Sequence, residues 1–239
     1  MPVLLELCDI SKSFGGLTIL NHLSFSLKEG EALGVLGPNG AGKTTTLNLI
    51  AGELPPSAGK IFFNGQDITR VPAHQRCHLG IARTYQIPRP FTGMTVYENV
   101  LVAARFGRKH TPRDAENLCR AILEQTKLYD RRDVLAGNLR LLERKRLELA
   151  RALATEPKLL LLDEIGGGLT EHELRELLQV IQDLRARNIT LIWIEHIVHA
   201  LASAVDRILA MHFGEKLAEG APHEIIASKE FQELYIGVE

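Results

Sequence analysis

The segment Gly37-Pro38-Asn39-Gly40-Ala41-Gly42-Lys43-Thr44 constrains this chain more than any other. It fits the spacing GxxxxGK[ST]. Before it stands Ala32-Leu33-Gly34-Val35-Leu36, which carries no polar side chain, and after it Lys43–Ala51 reads as a helix. Such an apolar run is a strand covered on both faces, as in a parallel sheet. The glycines let the backbone turn tightly and aim its N–H groups inward, and the helix adds the positive end of its dipole. Such a loop cradles phosphate. Gly37, Pro38, Asn39, Gly40, Ala41, Gly42, Lys43, Thr44 and Thr45 are therefore candidate ATP-binding residues. Lys43 is placed to reach the β- and γ-phosphates, and the Thr44 hydroxyl to ligate Mg²⁺.

Two later apolar runs end in polar residues. Leu159–Leu162 ends at Asp163-Glu164, and Ile189–Ile194 at Glu195-His196. A carboxylate at Asp163 can hold Mg²⁺ beside the phosphate loop, and Glu164 can polarise an attacking water. Val3–Leu7, Leu23–Leu27 and Lys60–Asn64 read as strands. From Val96 to about Glu156 the pattern is helical, with Pro112 opening one helix and Leu142–Ala154 forming another. Glu171–Arg187 is an amphipathic helix. Ile208–Met211 and Gly214–Gly220 form a closing hairpin, and two short helical pieces follow. This order predicts an α/β sheet with an inserted helical lobe.

With 239 residues, 45% hydrophobic and 24% charged, one domain with lobes fits best. The 28 Lys+Arg against 29 Asp+Glu give a net charge of −1, which argues against a nucleic-acid partner. Cys8, Cys77 and Cys119 form no CxxC pair and read as reduced thiols of a cytoplasmic protein. Met1–Ile10 carries Glu6 and Asp9 and lacks a basic signal region. No apolar run approaches the roughly 20 residues of a membrane span. The chain is expected to dock on a membrane partner rather than to cross the bilayer.

These residues resemble the ATP-binding-cassette (ABC) ATPases that power membrane transporters, over nearly the whole chain. The resemblance implies a P-loop NTPase (RecA-like) core, an N-terminal antiparallel β subdomain and an inserted α-helical subdomain. It implies one domain over 1–239: residues 1–86 and 157–239 form the nucleotide-binding core with the β subdomain, and about 87–156 the helical subdomain. Phe14, 23 residues before Gly37, falls where the family stacks an aromatic on adenine; taken alone it reads as an ordinary core or edge aromatic. Gln86, in Arg83-Thr84-Tyr85-Gln86, matches the glutamine that senses Mg²⁺ and the γ-phosphate. His196 matches the histidine that hydrogen-bonds the γ-phosphate. The implied catalytic set is Glu164, His196 and Gln86, and the implied Mg²⁺ set is Thr44, Gln86 and Asp163. Gly168-Leu169-Thr170 sits at the D-loop, where two ATPase subunits touch. Implied partners are transmembrane permease subunits and a second ATPase subunit, identical or not, at the cytoplasmic face of the inner (plasma) membrane. Phe14-Gly15-Gly16-Leu17, Arg83–Gln86 and Met94-Thr95-Val96-Tyr97-Glu98-Asn99-Val100 most resemble importers of branched-chain amino acids. Lipopolysaccharide-export and urea or amide-import ATPases are the alternatives, as is a weakly hydrolysing nucleotide-binding partner of a second ATPase chain.

The pattern breaks at the family's LSGGQ signature. Counting back from Arg151-Ala152-Leu153, it falls on Leu139-Arg140-Leu141-Leu142-Glu143, where only Leu139 matches. Leu142 is expected to add bulk where the backbone should approach the partner's γ-phosphate. Arg140 either supplies a cation there or points into solvent. Ile165 stands where proline is usual, Gly166-Gly167-Gly168 suggests a mobile loop, and Thr170 replaces an Asp or Asn. These departures fit a natural variant or a chain paired with a different ATPase subunit. General loss of hydrolysis would leave no use for Glu164 and His196. Ile87, Arg89, Phe91 and Met94 read either as core or as a permease-docking surface, and Arg105–His110 as a solvated turn or a contact with lipid headgroups.

Overall fold

Alternating apolar residues from Val3 onward build a long antiparallel ribbon, β1 (Val3–Phe14) with β2 (Leu17–Lys28). A computed structural model of the chain describes residues 1–107 and 111–236. β3 (Ala32–Leu36) leads through the glycine-rich loop into α1 (Lys43–Ala51). β4 (Ala58–Phe63) and β5 (Gln66–Asp67) return to the ribbon, and α2 (Ala73–Leu79) leads into β6 (Ile81–Arg83). Then come α3 (Val96–Gly107), α4 (Pro112–Gln125), two short 3₁₀ turns and α5 (Leu141–Leu153). β7 (Leu159–Asp163), α6 (Glu171–Arg185), β8 (Thr190–Ile194) and α7 (Val198–Ala202) follow. β9 (Arg207–His212), β10 (Glu215–Gly220), α8 (Pro222–Ala227) and α9 (Lys229–Ile236) close the chain.

The strands form two sheets, β2-β1-β4-β5 and β10-β9-β3-β8-β7-β6. All pairings in the first are antiparallel; in the second, all are parallel except β9 with β10. This is the α/β P-loop layout expected, with the antiparallel sheet N-terminal and helices α3–α5 between β6 and β7. Successive strand residues face opposite ways, and the larger sheet accordingly separates two cores. Ala32, Leu36, Leu160, Leu162, Leu191 and Trp193 face the helices. Leu33, Val35, Leu159, Leu161, Ile192 and Ile194 face α1 and the antiparallel sheet.

β1 and β2 run further than their clean alternation suggests. Asp9 and His22 adopt left-handed backbone (φ 55° and 52°), and register shifts there interrupt the period. α2, the three-residue β6 and α7 escape sequence reading because each is too short to show a period. α5 begins at Leu141, one residue earlier than expected, and α6 ends at Arg185, two earlier. Cys8, Cys77 and Cys119 are free thiols. Among the described residues no helix is long and apolar enough to cross a membrane.

Arg76 of α2 is 1% exposed. Its Nε donates to Val71 O (2.7 Å), Nη1 to Leu49 O and Ile50 O (2.7 and 3.0 Å), and Nη2 to Ile68 O and Thr69 O (2.6 and 3.2 Å). The guanidinium thus closes the C-terminal end of α1, where the helix dipole is negative. At α6, Thr170 is the N-cap and its hydroxyl accepts from Glu173 N–H (3.3 Å), while Glu173 Oε2 accepts from Thr170 N–H (2.9 Å). Thr170→Ala removes one half of this capping box. Urea unfolding should show a stability loss of about 1 kcal/mol with an unchanged denaturant slope.

Candidate nucleotide site

The loop after β3 has little freedom. Gly42 adopts φ 91°, and a Cβ there would meet Leu20 Cδ2 at 2.5 Å. A Cβ on Gly37 would run into Met211 O. The loop borders an open cleft of about 340 Å³ lined by Phe14, Ile19, residues 39–45 and Glu164. Phe14 is 48% exposed, with the Lys12 ammonium 4.9 Å from its ring centroid. It therefore presents its ring at the cleft rather than packing in a core.

Lys43 folds back over the loop, its Nζ donating to Gly37 O (2.6 Å) and Pro38 O (3.0 Å). Burial pushes its pKa down, while the Glu164 and Asp163 carboxylates oppose that shift. Thr44 Oγ1 stands 3.5 Å from Asp163 Oδ1. Asp163 Oδ2 accepts from Arg83 Nη2 at 2.8 Å, and Arg83 also reaches Glu53 and Asn48. Burial raises the Asp163 pKa and Arg83 pulls it back. Oδ1 thus faces Thr44 while Oδ2 is engaged. Two hard oxygen donors of this kind suit Mg²⁺, which keeps much of its water shell.

Glu164, at φ 46°, is held from both sides. Its Oε2 accepts from Gln86 Nε2 (2.5 Å) and its Oε1 lies 2.6 Å from His196 Nε2. Three residues from the ends of β6, β7 and β8 thus converge beside the phosphate loop.

The ABC transporter family profile matches residues 20–166. The chain is 36% identical over 249 residues to the high-affinity branched-chain amino acid transport ATP-binding protein of Salmonella typhimurium, covering 98% of each chain. It is 34% identical over 237 residues to the lipopolysaccharide export system ATP-binding protein of Acidithiobacillus ferridurans, covering 99% of this chain and 98% of that one. The chain belongs to the ABC transporter family. A nucleotide-free crystal structure of an ABC cassette superposes with a TM-score of 0.88 at 30% identity, covering 99% of this chain and 100% of that one. An ABC cassette in its ADP conformation gives the same TM-score, identity and coverage. The protein is accordingly an ABC ATPase subunit.

Relative to the ABC signature, the 139–143 segment differs from the sequence expectation. Leu142 turns inward and is 8% exposed in the helical core, so its bulk is not displayed. Leu141 is the exposed one, and it lies against Gly168. Arg140 is exposed at the N-cap of α5. Its backbone N–H is taken by Glu143 Oε2 (2.9 Å), while Arg131 Nε holds Glu143 Oε1 (2.9 Å). None of residues 139–143 lines the cleft. The triglycine run is also tied down. Gly166 N–H donates to Glu195 Oε1 (2.6 Å), Gly167 N–H to Glu164 O (3.2 Å) and Leu169 N–H to Gly166 O (3.2 Å).

Sequence reading assigned no role to Ile19, Arg83, Lys145 or Glu195. Arg83 and Glu195 stand beside recognised motif residues, which was the available signal. Lys145, buried on α5, donates from Nζ to Glu164 O (3.2 Å), a contact no local pattern announces. Ile87 and Phe91 are 75% and 46% exposed, Arg89 is exposed and Met94 half-buried, so the segment after Gln86 is largely surface. Of the Arg105–His110 stretch, Phe106 is exposed, while Arg108, Lys109 and His110 lie outside the described residues.

Proposed function

We propose that this chain hydrolyses ATP to drive import of branched-chain or related amino acids through partner permease subunits at the cytoplasmic face of the membrane. The observation that carries the chemistry is the Glu164 carboxylate, fixed by Gln86 and His196 beside Lys43 and Thr44. Phe14 offers its ring to adenine, and the N–H groups of residues 39–45 surround the phosphates. Lys43 exchanges the Gly37 and Pro38 carbonyls for phosphate oxygens. Thr44 and Asp163 Oδ1 would hold Mg²⁺, with Gln86 as a further donor, and the ion would supply positive charge to the phosphates. Glu164 orients and deprotonates water, and His196 donates to the γ-phosphate.

Gly168-Leu169-Thr170 and the 139–143 segment belong to the face that meets a second ATPase subunit. Glu143 already accepts the Arg140 N–H at the α5 N-terminus, so that donor is not free for a γ-phosphate. This favours a non-identical partner whose own signature completes the Lys43 site. The exposed Ile87–Phe91 segment, beside a groove lined by Arg83, Tyr85, Glu148 and Arg151, supports permease docking there.

Full-length similarity to branched-chain amino acid transport proteins supports the cargo class, and similarity to a lipopolysaccharide-export protein supports the second reading. ATP-dependent uptake of labelled leucine into vesicles carrying the chain with its permeases separates them. Lys43→Ala should reduce uptake by at least about 100-fold. Leucine uptake that is absent, or that survives Lys43→Ala, refutes the importer reading.

A further inference from the structure

We propose that Glu195 is a positioning residue that holds Glu164 and His196 in register by bridging the two backbone segments that carry them. Its side chain lies outside the cleft lining and is 1% exposed. Both carboxylate oxygens are committed. Oε1 accepts from Gly166 N–H at 2.6 Å, and Oε2 accepts from His196 N–H at 3.0 Å. Gly166 lies two residues beyond Glu164. One rigid carboxylate thus fixes the separation between the loop after β7 and the loop after β8. The two side chains those loops present meet at 2.6 Å.

A buried carboxylate carries a large desolvation cost unless it is hydrogen-bonded and faced by a cation. The two N–H groups supply the hydrogen bonds, and Lys145 on α5 faces both Glu195 and Glu164. Gly166 completes the seat. A Cβ there would stand 2.5 Å from Glu195 Oε1 and 2.9 Å from Leu174 Cδ1. The first glycine of the run therefore leaves room for the bridging carboxylate.

This inference rests on the reading of Glu164 and His196 as the reacting pair. Its kinetic test uses the full chain assembled with its partner ATPase and permease subunits, and four variants: Glu195→Gln, Gly166→Ala, their double, and Glu164→Gln. Glu195→Gln keeps the shape but turns an NH₂ group toward one of the two N–H donors. Gly166→Ala displaces the carboxylate from a site 29 residues away in sequence. Each single variant should lower kcat about 10- to 100-fold with KM for ATP nearly unchanged. The double should be no worse than the worse single. In the nucleotide-free chain, Gly166→Ala should shift the His196 imidazole NMR signals, and that shift should be largely lost in a Glu195→Ala background, which removes the side chain the new methyl displaces. These signals read the coupling without any need for turnover. Imidazole signals indifferent to Gly166→Ala, or multiplicative losses in kcat, overturn the proposal. Wild-type kcat in Glu195→Gln alongside lost turnover in Glu164→Gln also overturns it and leaves the catalytic reading intact. Wild-type turnover in Glu164→Gln refutes the catalytic reading instead.

Discussion

Glu164→Gln should lower steady-state phosphate release about 10²- to 10⁴-fold while leaving ATP binding intact. The substitution keeps the length of the side chain and one acceptor oxygen. It removes the charge that makes Glu164 a base, and it puts an NH₂ group against either Gln86 or His196. The phosphate loop, Lys43 and Phe14 are untouched, so affinity for ATP should stay near that of the unaltered chain. ATP added to the variant together with its partner ATPase subunit should therefore accumulate unhydrolysed, and the closed pair should persist on size-exclusion chromatography. Phosphate release at the unaltered rate would mean that another group activates the water. Loss of ATP binding would mean that Glu164 shapes the cleft rather than the reaction.

Arg76→Met should destabilise the chain by about 3–5 kcal/mol, the scale expected when a buried charged group's partners are left unsatisfied. The methionine fills much of the volume but donates nothing, so the carbonyls of Leu49, Ile50, Ile68, Thr69 and Val71 lose their shared donor. For a chain of this size the melting temperature should fall by about 10 °C. Burial already pushes the Arg76 pKa down to about 10, so the group remains charged at neutral pH. Trp193, the only tryptophan and fully buried, gives the fluorescence signal for the melt. Arg76→Lys should fall between the two, because an ammonium cannot reach five carbonyls at once. A melt of Arg76→Met within about 1 °C of the unaltered chain would show that water replaces the guanidinium without cost.

The parts legible in the sequence were those where a pattern and a chemistry coincide. β3, the phosphate loop and α1 lie where an apolar run, fixed glycines and Lys43-Thr44 place them. β7 and β8 are visible because each is an apolar run, broken only by Thr190 in β8, that ends in a polar pair. Glu164, His196 and Gln86 are separated by up to 110 residues, and only the family resemblance joined them. The structure adds why they meet: they end neighbouring parallel strands. What stayed hidden depends on distant partners. Arg76 looks like one more charge on a short polar segment until the carbonyls around it are seen. Leu142 read as a surface obstruction because its direction depends on where α5 begins. Glu195 gave no signal beyond adjacency to His196, since its partner Gly166 comes from another strand's loop.

The larger sheet acts as a bulkhead with odd and even compartments. Leu160 and Leu161 are adjacent in β7, yet they serve different cores. Shortening the first loosens the wall behind the helices, and shortening the second loosens the wall behind α1 and the phosphate loop. Inheritance can therefore act on the two compartments almost separately. The helical side can be repacked to suit a new neighbour while the floor under the nucleotide keeps its shape, provided each change respects the parity of its strand position.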